Sequence, residues 1–381
     1  MPLCYNNYSV EKRPLSVPTP LFFTKGVFIM AKKQRLFITL AIVLFVVVFA
    51  VLLTVATLYD LQISQILTKK ALPAGAYFST SNFGLFFETV GSAPIYLMAA
   101  FGATIAFWWA IRKQNKALSI ALPVAMAIVV FVAVFFFVKD IFSYVGEHMH
   151  DHEYMSKPYV VALIALLSLI ISALSILCWK QIKPETNDKL IKLSLVILVS
   201  MAGYLIIHFI KGPIGRMRYR AMNYSDEYGF DMFTRWYVIN GKRNLVPVAN
   251  GVEISDSCKS FPSGHTYSAA IIYGLICLPD LLESFNKKWI KALLYVGTIG
   301  FTATVAISRI VVGAHYMSDV LFGGTLSFLC MIISREIFIF KGSHLQTLFS
   351  KKQTLPLSEE PTAETVEEPV TTETSEVAEN A

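Results

Sequence analysis

The residues from Ser308 to Asp319 include a cation, a histidine and a carboxylate at a spacing that could support phosphate chemistry. Arg309 carries a permanent charge and five N–H donors, which suit the oxygens of a phosphate. His315 and Asp319 are four residues apart, so on a helix they share one face. A carboxylate there can hold the imidazole in one tautomer and leave its other nitrogen free as a nucleophile. Taken alone, the stretch fits equally well a loop with an interfacial arginine, an incidental histidine and a helix-capping aspartate.

A second stretch, Lys211–Arg220, follows a long apolar run that Gly212 and Pro213 are expected to end. Basic residues at the ends of membrane spans often act as headgroup anchors. On the outer face of a membrane, however, where the topology below places this stretch, positive clusters are disfavoured. The density of charge therefore favours a bound anion. The cations of this stretch are Lys211, Arg216, Arg218 and Arg220.

The third stretch, Pro262-Ser263-Gly264-His265, opens another apolar run. Proline suits the first turn of a helix. The N–H groups of Ser263 and Gly264 would then lie at the helix N-terminus, where the helix dipole favours an anion. His265 could reach the same anion. By itself, such a tetrapeptide is more often a helix start with an interfacial histidine.

The composition predicts that these stretches belong to a membrane protein. Of 381 residues, 55% are hydrophobic and 15% are charged, whereas about a quarter of an average soluble protein is charged. Several apolar runs of about 20 residues could each cross the hydrocarbon core of a bilayer. We therefore predict an all-α, polytopic helical membrane bundle with about eight transmembrane helices. The predicted spans are Leu36–Leu58, Phe87–Ile111, Ala117–Val138, Tyr159–Trp179, Leu193–Ile210, Pro262–Leu278, Trp289–Ile307 and Ala314–Phe340.

The Lys and Arg residues between the spans predict the orientation. One side collects clusters at residues 32–35, 112–116, 180–192, 287–291 and 335–352. The positive-inside rule makes that side cytoplasmic, so both termini lie in the cytoplasm and the three stretches lie outside. The net charge of +7 is then a matter of membrane topology, and no nucleic-acid partner is predicted.

The two ends of the chain differ from the spans in composition. Residues 1–35 form the predicted N-terminal cytoplasmic segment, of which 1–29 are Pro-rich and are either a disordered tail or an over-extended start. Residues 341–381 form a predicted cytoplasmic tail that is acidic and disordered, because it lacks apolar side chains to bury. The five cysteines fit no metal or disulfide framework.

The segment His148–Glu153 contains three histidines, which could bind zinc or copper. Their alternation points all three to one side only if the segment is extended. We favour a solvated polar loop, so no metal site is predicted.

Three motifs occur in order along the chain: Lys211-x6-Arg218, Pro262-Ser263-Gly264-His265 and Ser308-Arg309-x5-His315-x3-Asp319. Together they resemble the signature of the type 2 phosphatidic acid phosphatase superfamily, which includes lipid phosphate phosphatases and is related to vanadium haloperoxidases. The last two motifs match at every defining position, whereas Tyr219 stands where the family usually has Pro. The resemblance covers roughly residues 193–340 of a membrane domain spanning 36–340. It implies a six-helix-like phosphatase core preceded by two additional spans.

The resemblance also implies a role for each motif residue. His315 would attack phosphorus and form a phosphohistidine, Asp319 would orient it, and His265 would protonate the leaving oxygen. Cations and backbone N–H groups would bind the phosphate oxygens as charge redistributes. These phosphate-binding positions are Lys211, Arg218, Ser263, Gly264 and Arg309. No metal or other cofactor is implied, because the cations perform that role.

We therefore predict an integral-membrane lipid phosphatase of the cell membrane, with an extracytoplasmic active site that hydrolyses phosphate mono- or diphosphate esters. Candidate substrates are phosphatidic acid, phosphatidylglycerophosphate, an isoprenoid diphosphate or a phosphorylated glycolipid, bound among membrane lipids. One alternative is a lipid phosphotransferase that uses the same site. Another is a transporter or membrane binding protein that keeps the motifs without turnover. The sequence indicates no oligomeric state.

Overall fold

The computed structural model describes residues 21–113, 116–148, 153–224, 229–242, 248–249, 252–253 and 256–349. Its α-helices are α1 (Leu21–Thr68), α2 (Asn82–Val90), α3 (Ala93–Ile111), α4 (Lys116–His148), α5 (Pro158–Trp179), α6 (Pro184–Ala202), α7 (Tyr204–Ile214), α8 (Tyr219–Tyr224), α9 (Gly264–Ala270), α10 (Leu278–Leu281), α11 (Lys288–Val311), α12 (Met317–Arg335) and α13 (Ser343–Phe349). A π-helical turn, Glu336–Phe340, extends α12. Within the described residues, strand is limited to one antiparallel pair, β1 (Val248–Ala249) with β2 (Val252–Glu253).

Seven helical segments of the described chain are long and apolar enough to cross a membrane. They are Lys33–Thr68, Asn82–Ile111, Ser119–Gly146, Pro158–Trp179, Pro184–Tyr224, Lys288–Val311 and Met317–Phe340. The predicted all-α, polytopic bundle is confirmed. The helix α1 begins at Leu21, so it includes part of the segment interpreted as a disordered tail or an over-extended start. Residues 1–20 and 350–381 lie outside the described residues, and with them most of the predicted acidic tail.

The segment Pro262–Leu278, predicted as one span, is not a continuous α-helix. It consists of α9, a 3-10 helix (Ile271–Cys277) and the start of α10. Pro279 lies in the first turn of α10 and has no N–H to donate to the preceding turn, which breaks the α-helical hydrogen-bond ladder. Helix α9 itself begins at Gly264, with Ser263 as its N-cap, rather than at Pro262.

Helices α2 and α3 are separated by a short break at Gly91 and Ser92. A Cβ atom on Gly91 would lie 2.8 Å from the side chain of Val305, so only glycine allows α2 to approach α11 this closely. The short helix α2 packs against α11. Its residue Glu88 thereby reaches the motif region described below.

The largest buried core lies between α3, α6, α9 and the 3-10 segment that follows α9. Ile105, Leu193, Ile197 and Tyr267 are each at most 1% exposed in this cluster. The hydroxyl of Ser194 donates to the carbonyl of Gly102 at 2.7 Å and joins α6 to α3. In contrast, α1 and α5 present many exposed leucine and valine side chains, as expected for helix faces in contact with lipid.

The predicted orientation can be tested by cysteine accessibility. The native Cys258 is only 5% exposed and is a poor probe. Lys242 and Lys287 are exposed and lie on loops predicted to face opposite sides of the membrane. In a cysteine-free background, we expect an impermeant thiol reagent to label Lys242→Cys in intact cells and to leave Lys287→Cys unlabelled.

Permeabilised cells provide the control for this experiment, because both cysteines should then be labelled. Labelling of Lys287→Cys alone in intact cells would show that the topology is inverted.

Candidate active site

The three motifs meet at one end of the bundle, around His315. The helix α11 ends at Val311, and a turn through Gly313, which adopts a φ of +66°, leads the chain into α12. The His315 side chain is 1% exposed, and its Nδ1 atom lies 2.6 Å from the carbonyl oxygen of Ser260. A carbonyl can only accept, so Nδ1 carries the proton and Nε2 keeps its lone pair.

The environment of His315 also favours the neutral imidazole. Burial lowers the pKa of His315 to about 3, and the cations Arg218 and Lys211 act in the same direction, while Asp319 opposes them. The ring is therefore uncharged at neutral pH. Nε2 is available as a nucleophile without the removal of a proton.

Asp319 lies close to His315, but the predicted orienting contact takes another form. Its Oδ2 atom is 3.6 Å from Nδ1 of His315, an ion-pair rather than a hydrogen-bond distance. Oδ2 instead accepts from the Tyr316 backbone N–H at 2.9 Å and from the Ser260 hydroxyl at 2.5 Å. The Ser260 carbonyl therefore fixes the tautomer of His315. Asp319 contributes a negative charge near the ring and accepts a hydrogen bond from Ser260.

The other oxygen of Asp319 binds Arg216, a cation from the basic stretch that was interpreted as an anion site. Arg216 is fully buried, and its Nη1 lies 2.6 Å from Asp319 Oδ1 while its Nη2 lies 2.9 Å from Asp60 Oδ2. Its Nε donates to the carbonyl of Thr234 at 2.8 Å, and the guanidinium lies over the Tyr316 ring at 4.1 Å. Arg216 is thus occupied by internal contacts and is not placed to bind phosphate.

Asp60 belongs to α1, outside the segment covered by the family resemblance. It is 3% exposed, and its Oδ1 accepts from the Ser318 backbone N–H at 2.9 Å. The Ser318 hydroxyl contacts Asp60 Oδ2 as well. Sequence analysis missed this residue. The available signal was a lone carboxylate close to a long apolar run, where an ionisable side chain usually has a partner inside the bundle.

The predicted phosphate-binding cations Lys211, Arg218 and Arg309 lie within electrostatic reach of one another. Arg218 Nη1 is 3.4 Å from the carbonyl oxygen of Ala314, beside His315, and Lys211 Nζ donates to the carbonyl of Lys259 at 3.1 Å. In the part of the chain that the structure describes, Arg309 Nε and Nη1 are buried and have no hydrogen-bond partner. Donors of this kind suit an incoming phosphate.

Two carboxylates that sequence analysis missed pair with these cations. Glu88 from α2 lies 2.7 Å from Arg309 Nη2, and Asp256 lies 2.7 Å from Arg218 Nη2. Burial raises the pKa of Asp256, but Arg218 and Arg220 outweigh it and hold the pKa below its usual value. Asp256 is therefore ionised at neutral pH and partly balances the cluster. The cations still outnumber these carboxylates, so the site favours an anion.

The N-terminus of α9 differs in part from the predicted phosphate contacts. The backbone N–H of Ser263 donates to the carbonyl of Asp319 at 2.9 Å, and its hydroxyl accepts from Thr266 N–H at 3.3 Å. Both the N–H and the hydroxyl of Ser263 are therefore used in hydrogen bonds within the protein. The N–H bond joins α9 to α12, so Ser263 is not free to bind phosphate as predicted. The N–H of Gly264 has no acceptor among the described residues, so it remains the candidate backbone donor.

His265 lies in the first turn of α9 and lines a cavity of about 620 Å³ between α3, α4 and α7. It is within electrostatic reach of Arg309, Glu88 and His315. The structure therefore brings the two predicted catalytic histidines to the same cluster of cations.

No group of three His, Cys, Asp or Glu side chains within the described residues is placed to hold a metal ion. Of the His-rich segment, residues 149–152 lie outside the described residues.

Residues 190–342 match the family model of the PAP2 superfamily. This segment contains all three motifs, and the predicted relationship to the type 2 phosphatidic acid phosphatase superfamily is confirmed for it. Asp60 and Glu88 lie outside the matched segment.

Phosphatidylglycerophosphatase B of Bacillus subtilis (strain 168) is 34% identical over 82 residues. The matched region is 21% of this chain and 39% of that protein, so less than half of the relative is covered. No solved structure matches the chain.

We predict that Asp60→Asn lowers kcat with little change in KM. The substitution removes one of the two charges that share Arg216, so Arg216 would be drawn more fully onto Asp319. Asp319 would then stabilise positive charge on His315 less well. We expect a loss of roughly ten- to hundredfold, by analogy with residues that orient metal-ligating side chains. Steady-state rates per mole of folded protein provide the measurement.

Asp280→Asn is the matched control, because Asp280 pairs with Arg335 at 2.7 Å and belongs to neither the motifs nor the Arg216 network. It should change thermal stability in detergent without changing kcat. If Asp60→Asn kept the wild-type kcat, Asp60 would have no positioning role.

Proposed function

We propose that this protein is a lipid phosphatase that acts through a covalent phosphohistidine on His315. The observation that carries the proposal is the fixed tautomer of a neutral, buried imidazole beside a cluster of cations. A binding protein would need the cations but would not need a nucleophilic nitrogen prepared in this way. The combination therefore favours turnover over binding alone.

In the proposed first step, the phosphate oxygens bind Arg309, Arg218 and Lys211. The unpartnered Nε and Nη1 of Arg309, on either side of the guanidinium, can each donate to a phosphate oxygen. The Gly264 N–H can add a further donor from the α9 N-terminus. These groups are fixed before the substrate arrives, so little reorganisation is needed when negative charge shifts among the oxygens.

In the chemical step, Nε2 of His315 forms a bond to phosphorus while the bond from phosphorus to the leaving oxygen breaks. His265 takes up the proton that a monoanionic phosphate ester brings to the site and donates it to that oxygen. The phosphorylated ring carries positive charge, which Asp319 and the Ser260 carbonyl stabilise from the Nδ1 side. A water molecule then attacks phosphorus, His265 takes up its proton, and inorganic phosphate leaves with Nε2 of His315 restored.

Three observations support a lipid as the substrate. The site lies at the end of a bundle of membrane-crossing helices, and the cavity at His265 is lined mainly by apolar side chains. The relative found in Bacillus subtilis is named for a phosphatase that acts on a phospholipid. The distribution of Lys and Arg favours the outer face of the cell membrane for this site.

We predict that His315→Ala abolishes phosphate release and phosphoenzyme formation. Incubation with a lipid labelled in its terminal phosphate, followed by rapid quenching, should trap an acid-labile, alkali-stable label on the wild-type protein. The assay should contain a chelator, since the proposed site relies on side-chain cations.

His344→Ala serves as the control, because His344 pairs with Glu336 beyond α12 and lies outside the motifs. It should keep both the label and the turnover. A labelled His315→Ala variant would contradict the assignment of the nucleophile.

We also predict that His265→Asn slows hydrolysis of a monoester far more than hydrolysis of a lipid diphosphate. A monoester expels an alkoxide, which needs a proton, whereas a diphosphate expels a lipid phosphate, which leaves without one. General acid catalysis contributes about two to four orders of magnitude. Single-turnover rates of phosphoenzyme formation on both substrates measure the effect.

His315→Ala should abolish the reaction with both substrates and is the reference for complete loss. If His265→Asn slowed the two substrates by the same factor, His265 would be a phosphate anchor rather than the leaving-group acid.

A further inference from the structure

The 235–242 loop, which the proposed mechanism does not use, presents three consecutive large side chains outward. Tyr237, Val238 and Ile239 are 51%, 37% and 72% exposed. Contact of apolar side chains with water is unfavourable, so a contiguous exposed group of them often marks a surface that meets a membrane or another molecule.

Hydrogen bonds to the end of α7 hold the backbone of this loop in place. The N–H groups of Asn240 and Gly241 donate to the carbonyls of Ile214 and Pro213, each at 3.0 Å. A Cβ atom on Gly215 would lie 2.0 Å from the Gly241 carbonyl oxygen, so glycine is required there. The exposed side chains therefore cannot turn inward unless the loop detaches from α7.

Trp236 attaches the other side of the loop to the bundle. Its Nε1 donates to the Thr57 hydroxyl on α1 at 2.9 Å, and its ring centroid lies 4.8 Å from that of Phe322 on α12. The loop thus has an inner side formed by Trp236 and an outer side formed by the three residues that follow it.

The length of α1 gives the depth of this attachment in a membrane. Arg35 is the last cation before the uncharged run of α1, and Thr57 lies 22 residues after it in the same helix. At 1.5 Å per residue this distance is about 33 Å, close to the roughly 30 Å thickness of the hydrocarbon core. Trp236 is therefore expected at the far boundary of the hydrocarbon, where the headgroups begin.

The surface of α7 leads to the same level. Leu205, Phe209 and Pro213 are exposed and follow one another at intervals of four residues, so they form one lipid-facing stripe. Ile239 directly precedes Asn240, which is bonded to the last turn of α7. The outer side of the loop thus continues this stripe just beyond the end of the helix.

Two exposed cations, Arg235 and Lys242, flank the apolar residues of the loop. Arg235 also donates to the Tyr237 hydroxyl at 3.1 Å. An apolar segment with an aromatic ring and flanking cations suits the headgroup layer of a membrane that contains anionic lipids. This charge favours a lipid surface over water as the partner of the loop.

We propose that the 235–242 loop is a membrane-interface anchor. Residues 237–239 insert among the lipid headgroups at the end of the bundle that carries the three motifs, and Arg235 and Lys242 bind anionic headgroups. This surface is independent of the proposed phosphatase activity, because a lipid-binding loop needs no turnover.

The anchor is connected to the motif region. The carbonyl of Thr234 accepts from Nε of Arg216 at 2.8 Å, and the Asn240 side chain donates to the Thr234 hydroxyl at 3.0 Å. Lys211 lies in the last turn of α7, the helix that the loop caps. The anchor would therefore hold Lys211 at the level of the headgroup phosphates.

The test places an environment-sensitive fluorophore on single cysteines of the cysteine-free protein in vesicles of phosphatidylcholine and phosphatidylglycerol. We expect the label on Ile239→Cys to emit at shorter wavelength, to resist quenching by aqueous iodide and to be quenched by lipids spin-labelled near the headgroup. Lys242→Cys should be quenched by iodide and serves as the control within the loop. Phe209→Cys, on the lipid-facing stripe, is the reference for the hydrocarbon core.

A second measurement tests the cations. Spin-labelled phosphatidylglycerol should quench the label on Ile239→Cys more strongly than spin-labelled phosphatidylcholine does. Arg235→Gln and Lys242→Gln should each reduce this preference, by roughly fivefold per cation. Lys287→Gln, on the loop before α11, is the matched control and should leave the preference unchanged.

Equal quenching by iodide at Ile239→Cys and Lys242→Cys would show that the loop lies in water and would overturn the proposal. Protection of Ile239→Cys from both iodide and the spin-labelled lipids would also overturn it, because a second copy or another protein would then cover the loop. A preference for phosphatidylglycerol that survives both glutamine substitutions would contradict the role of the cations. Because these measurements require no turnover, their outcome is separate from that of the proposed phosphatase activity.

Discussion

A single buried guanidinium, that of Arg216, joins the first helix of the chain to the last motif. Burying a guanidinium costs several kcal/mol in lost hydration unless well-placed carboxylates and hydrogen-bond acceptors compensate for it. Arg216 meets this condition through Asp60 on one side and Asp319 on the other, with the Thr234 carbonyl and the Tyr316 ring completing its shell. Any movement of α1 relative to α12 would leave a buried charge unpaired. The position of Asp319 therefore depends on a helix far away in the sequence.

Asp319 in turn fixes the positions of residues in and beside the other motifs through its hydrogen bonds. Its side chain accepts from the Ser260 hydroxyl, and the Ser260 carbonyl in turn fixes the ring of His315. Its backbone carbonyl accepts from the N–H of Ser263, the N-cap of α9. This contact needs Gly323 on α12, because a Cβ atom there would lie 2.3 Å from the Ser263 carbonyl oxygen. The second and third motifs thus form one rigid unit around a single carboxylate.

These contacts explain which features could be predicted from the sequence. Long apolar runs dictate membrane helices through burial alone, so the spans follow from composition and length. Motif residues such as His315 and Lys211 are recognisable because their types and spacing are short-range patterns. Asp60 and Glu88 belong to no such pattern, since their partners are 156 and 221 residues away. The 3-10 segment after α9 was also missed, because it depends on how a short helix with a proline packs within the bundle.

The pairing of cations with carboxylates in the free protein follows from the same electrostatics. Arg309 and Arg218 are buried like charges, and without counter-charges their repulsion would open the site. Glu88 and Asp256 reduce that cost but leave Nε and Nη1 of Arg309 without protein partners in the described chain. An anion can therefore bind to donors already in place, while the carboxylates keep the total positive charge low. Too strong a positive field would also hold product phosphate tightly, so this partial neutralisation suits the proposed phosphatase, which would have to release an anion as well as bind one.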